Sequence, residues 1–279
     1  MTQPQLHVED LRVRFRTPHR IVEAVRGVSF TVGREKVGIV GESGSGKSMT
    51  GRAILKLTPP KAMVSARRMQ FEELDLARAS EREMLKVRGR RISMIMQDPK
   101  YSLDPVMRVG EQIAEALPPE GRGSRAEMRG KVLEMLEAVH IRNPARVYDL
   151  YPHEVSGGMG QRIMIAMMLL PDPSLLIADE PCSALDVTVQ MQVLAIIDDL
   201  VQSRGMGLIF ISHNLNLVAS FCDRVLIMYA GRIVEECPAA ELSQAKHPYT
   251  KGLLASLPRI GDRREKLAVL NRDPAWLAE

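Results

Sequence analysis

The stretch that decides the fold is GESGSGKS at residues 41–48, which follows the short apolar run KVGIV at residues 36–40. That run has the length of a buried strand, and residues 49–57 after it read as a helix that Pro59 and Pro60 terminate. A glycine, four residues, a second glycine, lysine and serine between a strand and a helix is the pattern of a phosphate-binding loop. A glycine-rich turn with a chance lysine explains this context less well. Residues 41–48 are called the phosphate loop below.

Each part of the phosphate loop has a chemical role in holding a nucleoside triphosphate. Glycines let backbone N–H groups face the anion, and the following helix presents its positive N-terminal end. Lys47 is expected to reach the β- and γ-phosphates, and the Ser48 hydroxyl to ligate Mg²⁺. The predicted nucleotide-binding residues here are Gly41, Glu42, Ser43, Gly44, Ser45, Gly46, Lys47, Ser48 and Met49.

A second apolar run, LLIA at residues 175–178, ends in Asp179 and Glu180. An acidic pair at the end of a buried strand is costly to desolvate unless a cation balances its charge. A nucleoside triphosphatase needs one carboxylate for the metal ion and a group that activates water. The sequence therefore predicts Asp179 in the Mg²⁺ shell and Glu180 as the group that polarises the attacking water. An exposed acidic pair at a strand end is the alternative interpretation.

The rest of the chain predicts an α/β core interrupted by helices. Residues 6–15 and 25–32 alternate apolar and polar side chains, as half-buried strands do, and residues 109–150 have helical periodicity with a polar break at 118–124. A second α/β region begins near residue 175. Its predicted elements are strands at 175–178, 208–211 and 225–228 and an amphipathic helix at 187–200.

Composition excludes several classes of protein. The 279 residues are 45% hydrophobic and 26% charged, which excludes a disordered, collagenous or rod-like chain. The longest apolar stretch, residues 163–170, is far shorter than the roughly 20 residues of a membrane span. No secretory signal is visible, and three scattered cysteines predict a reducing, cytoplasmic compartment. The net charge of +4 comes from basic residues spread along the chain, so we expect no nucleic-acid partner.

Further polar segments follow the phosphate loop in a fixed order. Ser156, Gly157 and Gly158 stand at the start of an apolar helix, where paired glycines and the helix N-terminus make a second anion site. Gln97 and His213 each follow an apolar run. Taken alone, Gln97 would be an ordinary loop glutamine and His213 a structural histidine.

Together and in this order, the segments resemble the nucleotide-binding subunit of an ABC transporter from about residue 6 to residue 258. The resemblance assigns Walker A to residues 41–48, the Q-loop to Gln97, the signature to a segment from Ser156, Walker B to a segment ending at Asp179 and Glu180, the D-loop to residues 183–186 and the switch histidine to His213. It implies that Gln97 adds a Mg²⁺ ligand and that His213 steadies the γ-phosphate. Phe15 is expected to stack on adenine, with a place in the core as the alternative.

The same resemblance implies a fold and an assembly. The fold is an α/β P-loop NTPase (ABC ATPase) core with an N-terminal antiparallel β subdomain and an inserted helical subdomain at about 106–165. The nucleotide-binding domain spans 1–258 and a short tail 259–279. Two such subunits bind two ATP molecules at their interface, each held by one subunit's phosphate loop and the other's signature.

The branch of the family is indicated by QDPKYSLDP at residues 97–105, YPHEVSGGMG at 151–160 and HPYTKGLLAS at 247–256. These segments are similar to those of oligopeptide, dipeptide and nickel importers, in which two different ATPase subunits pair, and a methionine at position 159 marks the first of them. The implied partners are a second ABC ATPase, two integral membrane permease subunits and an extracytoplasmic substrate-binding protein. The implied location is the cytoplasmic face of the inner membrane, as a peripheral protein.

The expected function is ATP hydrolysis that powers import of peptides, nickel or metal chelates. The chain reaches Glu279 without the cysteine-rich C-terminal segment common in the peptide branch. Its compact length is similar to that of the subunits of nickel or metal-chelate importers, which weakens the peptide assignment without overturning it. Gly160, Cys182, Ser183 and Asn214 also depart from the usual residues of the branch, although none removes a phosphate contact. The alternatives are an exporter ATPase or a soluble ABC-type ATPase acting on ribosomes or DNA. The ribosomal type usually carries two cassettes, and the DNA type a long coiled coil.

Overall fold

The computed structural model describes residues 4–96, 103–183, 185–256, 273 and 276. The chain divides into two compact units, the first formed by Met1–Ala79 with Ile209–Glu279 and the second by Ser80–Leu208. The predicted helical insertion at about 106–165 lies within the second unit, while most of the predicted tail at 259–279 lies outside the described residues.

The elements below are numbered in chain order over the described ranges. The strands are β1 (Leu6–Arg16), β2 (Ile21–Val32), β3 (Lys36–Val40), β4 (Ala62–Ser65), β5 (Arg68–Phe71), β6 (Leu74–Asp75), β7 (Ile92–Ile95), β8 (Leu175–Asp179), β9 (Gly207–Ser212), β10 (Arg224–Tyr229) and β11 (Arg232–Pro238). The α-helices are α1 (Lys47–Ile54), α2 (Glu81–Met84), α3 (Val109–Glu115), α4 (Arg125–Ala138), α5 (Pro144–Tyr148), α6 (Gly157–Leu169), α7 (Val187–Arg204), α8 (Leu215–Phe221) and α9 (Pro248–Ser256).

The N-terminal part of the first unit is an antiparallel sheet with the strand order β2-β1-β5-β6, and β4 also pairs with β1. Strand β1 buries alternate side chains, Leu6, Val8, Leu11 and Val13, with a register shift between Val8 and Leu11. This alternation is the one that the sequence predicted, because successive side chains of a strand point to opposite faces of the sheet.

The remaining strands of the first unit have the order β11-β10-β3-β9. Strands β3 and β10 are parallel, with Val37 opposite Arg224 and Val40 opposite Ile227, whereas β10 and β11 form an antiparallel hairpin. The apolar side chains of β3 are buried, as expected for a strand covered on both faces. Strand β3 ends directly at the phosphate loop, so the loop projects from the carboxyl end of a parallel strand.

The helix after the phosphate loop is shorter at its C-terminus than predicted. Helix α1 begins at Lys47 and ends at Ile54, three residues before the predicted end at Leu57. Lys56 adopts a left-handed conformation with φ of 52°, and the N–H of Leu57 donates to the carbonyl of Arg52. The chain thus closes the helix with a left-handed residue before Pro59 is reached.

The second unit combines a parallel strand pair with helices. Strands β7 and β8 pair in parallel, with Ile92 opposite Leu175. The helical periodicity of residues 109–150 is confirmed as α3, α4 and α5, and its polar break contains a 3-10 turn at Pro119–Gly121. Helix α4 starts with a capping box in which Ser124 and Glu127 satisfy each other's backbone N–H groups. None of the helices in the described ranges is long and apolar enough to cross a membrane.

The contact between β3 and α8 in the first unit gives a test of this packing. A Cβ atom on Gly38 would lie 2.2 Å from Val218 Cγ1 and 3.1 Å from Cys222 Sγ. We therefore expect Gly38→Ala to lower the free energy of unfolding by about 1–3 kcal/mol, because the stiff Val218 cannot move away without displacing α8. Urea unfolding of the full chain measures the change. Gly33→Ala is the matched control, since no atom lies within 4 Å of that Cβ position, and an equal loss in both variants would contradict the packing argument.

Candidate functional site

The phosphate loop is built from left-handed glycines and ends in an uncapped helix. Gly44 and Gly46 have φ of 82° and 101°, and the N–H of Ser45 donates to the carbonyl of Glu42 at 3.1 Å. Gly46 is the N-cap of α1, and no side-chain hydrogen bond caps this helix start. The N–H groups of the first turn of a helix have no partners inside that helix, so this geometry suits a bound anion.

Neighbouring strands of the first unit leave no room for side chains at two of the loop glycines. A Cβ atom on Gly41 would lie 2.1 Å from the carbonyl oxygen of Met228, and one on Gly46 would lie 2.5 Å from that of Ala24. The N–H of Gly231, at the turn between β10 and β11, donates to the carbonyl of Ser45 at 2.9 Å. The shape of the loop is therefore fixed by main-chain contacts with β2 and the β10–β11 hairpin.

The Lys47 side chain lies inside the loop and not in solvent. Lys47 is 5% exposed, and its Nζ donates hydrogen bonds to the carbonyl oxygens of Gly41 at 2.7 Å and Glu42 at 2.9 Å. A buried ammonium surrounded by carbonyl oxygens is a strong attractor for phosphate. The buried Ser45 Oγ has no hydrogen-bond partner among the described residues, which also fits a loop made to receive a polar ligand.

The other predicted residues of the first unit lie on strands or at strand ends. Phe15 is half-buried on β1, opposite Val22 of β2 and Ala62 of β4. His213 is exposed and directly follows β9. The next residue, Asn214, caps α8 by accepting the N–H of Leu217 at 3.1 Å. Asparagine is among the preferred helix-capping residues, so Asn214 supplies a normal cap at this position.

The acidic pair of the second unit occupies the end of β8. Asp179 is its last residue and is 2% exposed, whereas Glu180 is half-buried and adopts a left-handed φ of 48°. The carbonyl of Glu180 accepts hydrogen bonds from the N–H and the hydroxyl of Ser183, both at 3.3 Å. A glutamate in this backbone region is strained by about 1–3 kcal/mol, and strain of this kind concentrates at functional sites.

The cysteine inside this turn is not a reactive thiol. Cys182 is buried, and burial raises the pKa of its thiol to about 12. The thiolate is the nucleophilic form of cysteine, so this side chain fills space near neutral pH. Within the described residues no group of three or more histidine, cysteine or carboxylate side chains could hold a metal ion.

The signature segment begins α6, and its two glycines have different surroundings. Ser156 is the N-cap, and its hydroxyl accepts the N–H of Met159 at 3.4 Å. A Cβ atom on Gly158 would lie 2.9 Å from Val189 Cγ1 of α7, whereas one on Gly157 would have no atom within 4 Å. Gly158 is thus needed for helix packing within the unit. Gly157 and the exposed Ser156 leave an open surface.

The predicted site residues are divided between the two units. The first unit holds Phe15, residues 41–49 and His213, and the second holds residues 156–158, Asp179 and Glu180. Gln97, the predicted third Mg²⁺ ligand, lies outside the described residues. One residue that the sequence did not connect with the site is Tyr249, whose hydroxyl accepts the N–H of Glu42 at 3.1 Å. Tyr249 belongs to the HPYT segment at residues 247–250, but no signal in the sequence indicates this contact.

Known proteins with similar sequences identify the family of this chain. A family model described as ABC transporter matches residues 25–183. The chain is 50% identical to a probable peptide ABC transporter ATP-binding protein of Sinorhizobium fredii, covering 93% of this chain and 77% of that protein. It is 47% identical to the oligopeptide transport ATP-binding protein OppD of Bacillus subtilis, covering 94% and 74%. It is 45% identical to the dipeptide transport ATP-binding protein DppD of the same organism, covering 96% and 81%.

Solved structures of ATP-binding cassettes have the same fold. The dimeric bacterial ABC transporter cassette MJ0796 aligns with a TM-score of 0.74 and 25% identity, covering 84% of this chain and 98% of that one. The cbiO1 subunit of a Clostridium perfringens ABC transporter complex aligns with a TM-score of 0.72 and 24% identity, covering 87% and 92%. The predicted fold class is confirmed, and the chain belongs to the ABC transporter family as one of its ATPases.

Proposed function

We propose that this chain hydrolyses ATP to power import of peptides through a multi-subunit ABC transporter. The assignment of the cargo rests on the names of the relatives, which are peptide, oligopeptide and dipeptide transport proteins. These relatives are 45–50% identical to this chain over more than nine-tenths of its length. These names favour peptides over nickel or metal chelates. They also favour transport over action on ribosomes or DNA, and a Brucella ovis relative that is 45% identical to this chain is named for peptide import, which favours import over export.

The residues of the site divide the chemistry of hydrolysis among them. Lys47 and the loop N–H groups, from Gly41 to Met49, bind the β- and γ-phosphates and neutralise the charge that develops on the transferring phosphoryl group. Glu180 acts as the base that orients and deprotonates the attacking water, and His213 steadies the γ-phosphate. Phe15 stacks on adenine.

A divalent cation completes this chemistry. Ser48, the buried Asp179 and Gln97 would hold Mg²⁺, which neutralises phosphate charge when bound. The support is the donor set of oxygen ligands, the kind that Mg²⁺ prefers, together with the 2% exposure of Asp179. A carboxylate withdrawn from water to this extent is stabilised by a nearby cation.

The signature surface supports a paired arrangement of subunits. Ser156 and Gly157 are exposed at the start of α6, with space beside Gly157 for a ligand that another molecule holds. We propose that a second, different ABC ATPase presents its nucleotide to this surface and that two permease subunits and an extracytoplasmic binding protein complete the importer. The chain then works at the cytoplasmic face of the inner membrane as a peripheral protein, without nucleic acid.

The assembly is tested by affinity purification of tagged Glu180→Gln chain from detergent-solubilised membranes with ATP present. We expect two multi-helix membrane proteins and a second ATPase to co-purify, because a hydrolysis-deficient subunit keeps the ATP-bound complex together. Tagged Lys47→Ala is the control, and it should recover less of the second ATPase. Recovery with ribosomes or DNA, or of the chain alone, would contradict the importer and leave only the ATPase.

Replacing the loop lysine should remove most of the ATP affinity. We expect Lys47→Ala to weaken ATP binding by about 10- to 100-fold, because a buried charge-assisted hydrogen bond contributes roughly 1.5–3 kcal/mol. Isothermal titration of the full chain measures the affinity. Lys56→Ala is the matched control, since Lys56 lies just beyond the same helix and donates to the carbonyl of Ala79. Unchanged ATP affinity in Lys47→Ala would rule out its role.

Replacing the proposed base should stop turnover without loss of binding. We expect Glu180→Gln to bind ATP within about twofold of the wild-type affinity and to lose at least about 100-fold in turnover, the usual contribution of a general base. ATPase activity of the assembled transporter is the measurement. Glu134→Gln, an exposed substitution on α4, should keep normal turnover. Turnover near the wild-type rate in Glu180→Gln would show that another group activates the water.

A further inference from the structure

Tyr249 connects helix α9 of the first unit with the phosphate loop. The residue lies at the second position of α9 and is completely buried, with 0% exposure. Its hydroxyl accepts the backbone N–H of Glu42 at 3.1 Å, across 207 positions of sequence. Glu42 is the second residue of the phosphate loop. A side chain far along the sequence thus contacts the main chain of the nucleotide site.

The Tyr249 side chain is itself held in place from two sides. Its ring packs against Tyr229 at the end of β10, with 4.4 Å between ring centroids and an interplanar angle of 39°. Its backbone N–H donates to Nδ1 of His247 at 3.1 Å. The position of the hydroxyl is therefore set by contacts to β10 and to the residue that precedes α9.

The segment before α9 is fixed to β11 by Glu235. The carboxylate accepts the N–H of Lys246 at 2.5 Å and that of His247 at 3.3 Å. Burial raises the pKa of Glu235, but the nearby Thr250 hydroxyl and the hydrogen bonds from these two N–H groups outweigh that effect and hold the pKa below its usual range. The charged carboxylate is thus the form that anchors the segment near neutral pH.

The N–H of Glu42 and the carbonyl of Gly41 belong to the same planar peptide unit. The carbonyl oxygen of that unit accepts Lys47 Nζ at 2.7 Å while the N–H donates to Tyr249. Because a peptide unit is rigid, any rotation that moves its N–H also moves its carbonyl. Hydrogen bonds in such a chain also polarise and strengthen one another. The tyrosine hydroxyl and the lysine ammonium are therefore coupled through one peptide unit.

We propose that Tyr249 is a positioning residue for ATP binding: its hydroxyl fixes the peptide unit between Gly41 and Glu42 and thereby the position of the Lys47 ammonium. The proposal rests on the function proposed above, in which Lys47 binds the phosphates. The tyrosine is completely buried and acts on the nucleotide only through the loop. It acts by keeping the loop in its binding conformation before ATP arrives, which lowers the entropy lost on binding.

Coupling of this kind works in both directions. If the Tyr249 contact favours the loop conformation that binds ATP, bound ATP must favour the contact by the same factor. We expect ATP to slow amide hydrogen exchange in the first turn of α9 as well as in the loop. The stability of helix α9 then depends on whether the phosphate loop is occupied.

The test compares Tyr249→Phe with Tyr229→Phe in the full chain. Each substitution removes one hydroxyl from the same aromatic cluster, and within the described residues no hydrogen bond joins the Tyr229 hydroxyl to the loop. We expect Tyr249→Phe to weaken ATP binding by about two- to tenfold, the usual value of one hydrogen bond, and Tyr229→Phe to change it by less than twofold. Equal affinities of Tyr249→Phe and wild type, or equal losses in both variants, would overturn the proposal.

Amide exchange at single-residue resolution separates positioning from general stability. In nucleotide-free wild type, the Glu42 amide should be protected, and Tyr249→Phe should lose that protection while amides of β8 in the second unit keep theirs. A Glu42 amide that exchanges in wild type as fast as an exposed loop would overturn the proposal without any variant. If wild type itself binds no ATP, the proposed function fails instead, so the two failures are distinguishable.

Discussion

The backbone of the phosphate loop lies against the backbone of neighbouring strands, and this close approach governs the architecture of the first unit. Gly41 meets the carbonyl of Met228 and Gly46 meets that of Ala24, so only hydrogen atoms fit between the loop and the strands. Main-chain atoms cannot move aside as side chains do. The loop therefore keeps a narrow conformation in which its carbonyl oxygens converge on Lys47.

The helices of the structure differ in whether a side chain caps their first turn. Ser156, Asp186 and Asn214 cap α6, α7 and α8 with their own side chains, whereas α1 begins at a left-handed glycine without a side-chain cap. A side-chain cap satisfies one of the N–H groups that lack a partner at a helix start. The start of α1 has no such cap, so a bound anion can supply the missing partners at the phosphate loop.

The features of the fold that the sequence could predict are those set by residues close together in the chain. Strands β3, β8 and β10 were predicted because each is a compact apolar run. The roles of the site residues stay predictions, which rest on motifs that are local and ordered. The end of α1 was misplaced, since a left-handed Lys56 leaves no mark in composition. The short strands β4 to β6 have weak alternation and gave no signal. The Tyr249 contact joins distant segments, and only the folded chain brings them together.

With Glu180 as the proposed base, its left-handed backbone sets stability and activity against each other at one position. Glycine and asparagine adopt φ near 48° with far less strain than glutamate does, so either substitution would stabilise the folded chain while removing the carboxylate. Selection for thermal stability alone would therefore favour variants that lack the carboxylate at position 180. A library screened for heat tolerance needs a simultaneous requirement for transport, or this position will be among the first to lose its function.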